Sequence, residues 1–244
     1  MTSKNPTIVA ASGGFVPGVR RRFAPGPIIW HALELSGAGD TAKVALLGTA
    51  SGDQMTQNAS AHEAFYDTGV RLTCVNLFPM PNFADLRGHL LDRDVIWVGG
   101  GSVAALLALW RLHGLDSIMR ECWESGVVLA GVSAGSICWH VGGPTDSYGP
   151  ELRPVTDGLG FLPYSNSVHY DAEEQRRPLL HRLVADQTLP TGYATDDGVA
   201  LVYHGTELAD VVSDRPDAAA YRVERAADGT AAETRLEPRR LDAG

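Results

Sequence analysis

Gly131-Val132-Ser133-Ala134-Gly135 sets one serine between two glycines, each separated from it by one residue. A hydrolytic serine uses that spacing when the chain turns sharply from strand to helix: the serine takes a strained backbone conformation, its hydroxyl stands clear for attack, and small neighbours make room. The surroundings have the required order, with an apolar run at 127–132 before the motif and a short helix expected at 136–140 after it. An ordinary glycine-rich turn has the same composition, but strand, serine and helix in this order favour Ser133 as a nucleophile. Gly99-Gly100-Gly101-Ser102 follows the apolar run at 95–98 and opens a helix for which Ser102 is a plausible N-cap. Its amides would face the carboxyl edge of a sheet, where Gly100 and Gly101, with the amide of Ala134, could receive an oxyanion. A phosphate cradle is the alternative, but neither GxGxxG nor GxxxxGK[ST] is present.

A serine nucleophile needs a base, and eight histidines compete: His31, His62, His89, His113, His140, His169, His181 and His204. His31, His62, His113 and His181 fall in expected helices, where a solvated or core-edge imidazole is the plain reading. His169 ends a strand-like run at 161–171 from which it can reach a neighbouring strand end. His140 is the rival, but it lies about two turns down the helix after Ser133 and points away from the elbow. For the acid that orients the base, Asp146 is the first choice, in the loop between nucleophile and base, with Asp157, Asp171, Asp196 and Asp197 as competitors. His169-x-Asp171 is an isolated pair without HExxH or a second ligand cluster, so neither a metal nor another cofactor is expected.

The elements that must position these groups follow from apolar patterning. Short β-branched runs at 8–11, 44–47, 72–78, 95–98 and 127–132 alternate with helices expected at 28–35, 62–69, 103–114 and 116–125. That alternation predicts an α/β sandwich of three layers, with a mainly parallel sheet covered on both faces. In the 103–114 helix, Val103, Leu106, Leu107 and Trp110 recur at i, i+3, i+4 and i+7. A long polar stretch after Gly142, of a kind usually functional or flexible, leads to a helix over about 173–186. Short antiparallel strands are expected at 200–203, 208–212 and 221–223, an Asp228-Gly229 turn follows, and the tail frays from about residue 237. No repeat or linker argues for a second domain within residues 1–244.

Composition narrows the partners. The chain has 244 residues, 44% of them hydrophobic, and a net charge of -9. That charge repels phosphate backbones and acidic lipid surfaces, and Arg20, Arg21 and Arg22 form the one basic run, so no nucleic-acid or membrane partner is expected. Cys74, Cys122 and Cys138 are odd in number and widely spaced, which predicts reduced thiols. A polar stretch at 1–7 without an apolar signal core, and the lack of a membrane-length apolar run, place the chain in the cytoplasm, as monomer or homodimer.

Val-Gly-Gly-Gly at 98–101, Gly-Val-Ser-Ala-Gly-Ser at 131–136 and Val-His-Tyr-Asp at 168–171 together resemble the dipeptidase E group, the S51 serine peptidases that also include cyanophycinases. The resemblance covers nearly the whole chain. It implies a fold related to class I glutamine amidotransferases, Ser133 as nucleophile, His169 as base and Asp146 at the third position. Two departures stand out. The family usually has Asn-Thr after the three glycines, where this chain has Ser102-Val103. Its aspartyl dipeptidases set an arginine before Glu-Gln-Arg, where this chain has Glu173 before Glu174-Gln175-Arg176. Aspartyl specificity therefore does not carry over, although Arg176 or Arg177 could replace the missing cation. The expected function is a serine peptidase acting on short peptides through an acyl-enzyme. The alternatives are an esterase or isopeptidase of the same plan and a catalytically silent binder; a glutamine amidotransferase would need cysteine at the elbow.

Overall fold

The structure, a computed structural model, describes residues 5–242, so residues 1–4 of the polar N-terminus and 243–244 of the tail lie outside the described residues. The chain begins with β1 (Thr7–Ala11), passes through a hairpin of β2 (Phe15–Pro17) and β3 (Phe23–Pro25), and enters α1 (Pro27–Leu35) and β4 (Lys43–Leu47). There follow α2 (Met55–Phe65), β5 (Arg71–Val75), α3 (Leu86–Leu91), β6 (Val95–Val98), α4 (Val103–His113), α5 (Leu115–Glu124), β7 (Val128–Val132) and the single turn α6 (Ala134–Ile137). Beyond the elbow come a hairpin of β8 (Gly143–Thr145) and β9 (Arg153–Val155), then β10 (Ser165–Ser167), α7 (Arg176–Ala185) and β11 (Gly192–Thr195). The chain closes with β12 (Val199–His204), β13 (Glu207–Ser213), β14 (Ala220–Arg225), β15 (Ala231–Leu236) and β16 (Arg239–Arg240).

The strand runs read as continuous apolar segments because both faces of the sheet are covered. Ile8 and Ala10 of β1, Ala45 and Leu47 of β4, and Ile96 and Val98 of β6 pack on one side with Leu106, Leu107 and Trp110 of α4 and Met119 and Cys122 of α5. Their alternates Val9, Ala11, Val44, Leu46, Val95 and Trp97 pack on the other side with Ile28, Ile29 and Leu33 of α1 and Ala61, Ala64 and Phe65 of α2. The main sheet runs β16-β13-β12-β1-β7-β6-β4-β5. The strands from β1 through β7, β6 and β4 to β5 are parallel, and β12 joins β1 antiparallel. A second sheet, β10-β11-β14-β15, carries the remaining strands, with β10 and β11 parallel.

Several boundaries differ from those read in the sequence. The late antiparallel strands divide between two sheets, β12 and β13 on the main one and β14 and β15 on the smaller. The helix expected at 62–69 begins earlier, at Met55, and ends at Phe65. The run at 161–171 is strand over Ser165–Ser167 alone: Pro163 cannot donate to a ladder, and His169 adopts a left-handed φ of 53°. The helix expected at 173–186 starts at Arg176, because the amides of Ala172 and Glu173 both turn back to the His169 carbonyl. The tail, expected to fray, pairs through Arg239 and Arg240 with Val212 and Ser213 of β13.

His140, the rival base, lies within this core. It is fully buried, with Nδ1 2.9 Å from the Ser136 carbonyl oxygen and Nε2 3.3 Å from the Tyr203 hydroxyl. The carbonyl fixes the proton on Nδ1, leaving Nε2 to accept the Tyr203 O–H. Burial pushes its pKa down from 6.5 to about 4. The unfolded chain therefore binds the proton first as pH falls, so native stability is full above the unfolded value and is lost between about pH 6.5 and 4. One such group contributes roughly 2–3 kcal/mol across that window. Denaturant titrations at pH 7 and pH 4.5 are expected to show this loss, and His140→Phe, although less stable at both, to reduce the difference; an unchanged difference would contradict a neutral buried imidazole.

Candidate active site

β7 leads directly into the serine. Ser133 sits at φ 58°, ψ -114°, a conformation that costs a non-glycine residue on the order of 1–3 kcal/mol. The two flanking glycines are required by close packing. A Cβ on Gly131 would lie 2.4 Å from the Gly135 carbonyl oxygen, and one on Gly135 would lie 2.3 Å from that of Val98. The turn is pinned by the Ser133 amide, which donates to the Ala11 carbonyl at the end of β1 (3.0 Å).

The next residue of that strand end holds the backbone of His169. The His169 amide donates to Ser12 Oγ (3.2 Å), and Ser12 Oγ shares a hydrogen bond of 2.6 Å with Thr195 Oγ1 at the end of β11. Ser133 and His169 are thus hung from adjacent residues, Ala11 and Ser12. Among the described residues the Ser133 hydroxyl makes no hydrogen bond, and His169 Nε2 makes none either; in the absence of substrate, catalytic hydrogen bonds are often long and tighten in the complex.

Asp197, and not Asp146, orients the ring: its Oδ1 lies 2.5 Å from His169 Nδ1. The reason is register. β10 and β11 run parallel with Ser167 opposite Ala194, so the chain leaves both strands at the same edge, and His169 and Asp197 meet there. Asp197 is itself fixed, its amide donating to Asp171 Oδ1 (2.8 Å) and its carbonyl accepting from Arg215 Nη1 (3.0 Å). Arg215 Nη1 also donates to Asp171 Oδ2 (3.2 Å), which closes the brace. Of the other carboxylates, Asp196 accepts from the Ala219 amide, and burial pushes its pKa upward. Asp157 pairs with Arg111 on the surface.

Asp146 is exposed, and its carbonyl closes a turn with Gly149. It lines a separate cleft with Glu173 and Gln175, because the β8–β9 hairpin carries it that way. The two candidate substrate arginines are already engaged. Arg176 is 2% exposed and donates to Glu173 Oε2 and to the Pro144 carbonyl. Arg177 pairs with Glu233 and stacks between Tyr170 and Tyr221, its Cζ 4.4 and 4.5 Å from their ring centroids. Arg176 thus ties α7 to β8, and Arg177 ties α7 to the second sheet.

The glycine loop lies where the sequence places it. A Cβ on Gly100 would stand 3.1 Å from that of Ser133, and Gly101, at φ 133°, leaves no room for one beside the Ala50 carbonyl. Gly99 and Ser102 donate to the Leu47 and Ala50 carbonyls, whereas among the described residues the amides of Gly100, Gly101 and Ala134 donate to no protein acceptor. Cys138 is buried, its thiol pushed well above its usual pKa by burial, which unsuits it to nucleophilic chemistry. Sequence reasoning passed over Ser12 and Arg215 altogether; a serine directly after the first strand is the one local signal it had. Among the described residues no cluster of three or more His, Cys, Asp or Glu is placed to hold a metal, and no helix is long and apolar enough to cross a membrane.

The profile of the family described as Peptidase family S51 matches residues 27–211. An uncharacterized peptidase, YgaJ, of Bacillus subtilis (strain 168) is 44% identical over 181 residues, covering 74% of this chain and 77% of the relative. Peptidase E of Shewanella amazonensis is 30% identical over 149 residues, 57% of this chain and 63% of the relative. The crystal structure of a peptidase from an acI-B1 Actinobacterium superposes with a TM-score of 0.67 at 17% identity, covering 96% of this chain and 95% of the other, and so shares the fold. The three-layer, class I glutamine amidotransferase-like architecture stands with it. The matched span contains the elbow, the glycine loop, His169 and Asp197, and the chain belongs to peptidase family S51, the serine-type peptidases.

Proposed function

We propose that the chain hydrolyses short peptides through an acyl-enzyme formed on Ser133. The observation that carries this reading is the His169–Asp197 pair hung beside a strained serine at one sheet edge. Ser133 Oγ attacks the scissile carbonyl carbon as its proton passes to His169 Nε2. The carbonyl oxygen, now anionic, is received by the free amides of Gly100, Gly101 and Ala134. Collapse breaks the C–N bond, and the imidazolium gives its proton to the departing amine. Water then repeats the sequence on the ester and returns the serine. Asp197 holds the Nδ1 tautomer and stabilises the transient charge, while Asp171 and Arg215 hold Asp197. The resemblance to the dipeptidase E group and the Peptidase E relatives support short peptides as the substrate class.

Ser133→Ala is expected to lower kcat by about three orders of magnitude or more while the melting temperature stays within a few degrees, since one hydroxyl leaves a strained turn. Turnover of dipeptides near the wild-type rate would overturn the assignment. Asp197→Asn is expected to cut kcat by roughly a hundredfold or more, because the amide cannot fix the tautomer or balance the imidazolium. Asp146→Asn, on an exposed loop, is expected to stay within about threefold of wild type. Steady-state kinetics of the two variants side by side decides the point, and the reverse order of effects would restore Asp146 as the third member.

A further inference from the structure

The sheet order assigns the two flanks of Ser133 to different parts of a substrate. β7 lies between β1 and β6. His169 is tied to Ser12, on the β1 side. On the other side, over β6 and β4, a cavity of about 380 Å³ reaches Gly100 and Val132, the immediate neighbours of the serine. The departing amine must meet the imidazole that protonates it, so it leaves on the β1 side. The acyl residue then lies over β6 and β4, with its side chain directed to the cavity.

The cavity wall is predominantly apolar, with Phe15 and Phe23 from the β2–β3 hairpin, Leu46 from β4, Ala61 from α2, Trp97 from β6, and Val132, while Thr56, Gln57 and Ser60 of α2 add polar side chains on one flank. Its volume is near the lower end of the roughly 300–1,000 Å³ usual for small-molecule sites, which suits one large side chain rather than an extended peptide. Arg22 is the one Lys or Arg side chain lining it among the described residues. Its position is exposed, with the guanidinium 5.1 Å from the Phe23 ring centroid. A carboxylate seated against Leu46, Trp97 and Val132 would lose its water, while the donors of Arg22, Thr56 and Gln57 stand at exposed positions and Ser60 is half-buried on the α2 flank, which disfavours an acidic side chain at the apolar end.

We infer that this cavity is the acyl-side specificity pocket and that it selects a large apolar residue, aromatic or branched aliphatic, rather than an acidic one. The inference rests on the hydrolase reading given above. Burying one such side chain corresponds to roughly a ten- to hundredfold preference over alanine.

The test measures kcat/KM of the full chain on Phe-Ala, Leu-Ala, Ala-Ala and Asp-Ala, alongside fluorophosphonate labelling of Ser133. Phe-Ala or Leu-Ala is expected to exceed Ala-Ala at least tenfold, with Asp-Ala slowest. Ser60→Trp, from the α2 wall of the cavity, is expected to lower the Phe-Ala to Ala-Ala ratio about tenfold; Thr56→Trp, at an exposed wall position, serves if the first variant melts early. Preference for Asp-Ala, an unchanged ratio in a folded variant, or labelling without turnover of any of the four overturns this inference and leaves the nucleophile assignment standing. Absence of labelling at Ser133 removes both.

Discussion

The carboxyl end of β1 fixes the site. The Ala11 carbonyl accepts the Ser133 amide, and the hydroxyl of the next residue, Ser12, accepts the His169 amide. One strand end thereby sets the spacing of two groups that come from different sheets. Ser12 is buried, and its second bond, to Thr195, ties the same point to the end of β11, which carries the chain to Asp197. The three residues that do chemistry in this account thus share a single rigid reference. Sites built on strand ends in this way hold reacting groups more tightly than sites on free loops.

The cost of the arrangement is local and is met by packing. Ser133 and His169 both occupy positive φ, at 58° and 53°, where a side chain is unfavourable. Each is held by a backbone hydrogen bond, and the serine is also held by glycines packed too closely against Val98 and Gly135 for any larger residue. The apolar layer on that side of the sheet is dense: Trp110, Trp139, Phe161 and Trp123 form a chain of ring contacts with centroids 5.6–5.9 Å apart, stacked between Phe161 and Trp123 and tilted at the other two. A packed core of this kind resists the relaxation that would release the strain.

What the sequence disclosed divides along the range of the interactions. The elbow and the glycine loop were legible because each is a strand, a turn and a helix written within a dozen residues, and the same holds for the confined periodicity of α4. Asp197 was legible only as one competitor among several. Its meeting with His169 depends on the parallel pairing of β10 with β11, a register set by contacts between distant segments. Asp146 had closeness in sequence on its side, but the β8–β9 hairpin turns it into another cleft. Arg176 is by sequence a candidate substrate cation, yet its guanidinium is buried because the Pro144 carbonyl and Glu173 satisfy it there. A single sequence carries no signal for that kind of paired burial.

In the proposed mechanism His169, under the hold of Asp197, makes Ser133 reactive. Peptide mapping by mass spectrometry after reaction with a fluorophosphonate, comparing the wild type with His169→Ala, addresses it most directly, because it reads the nucleophile without assuming a substrate. A single adduct is expected on the peptide containing Ser133 in the wild type, with a large loss of that adduct in the variant. An adduct on another serine, or equal labelling of Ser133 without the imidazole, would contradict it.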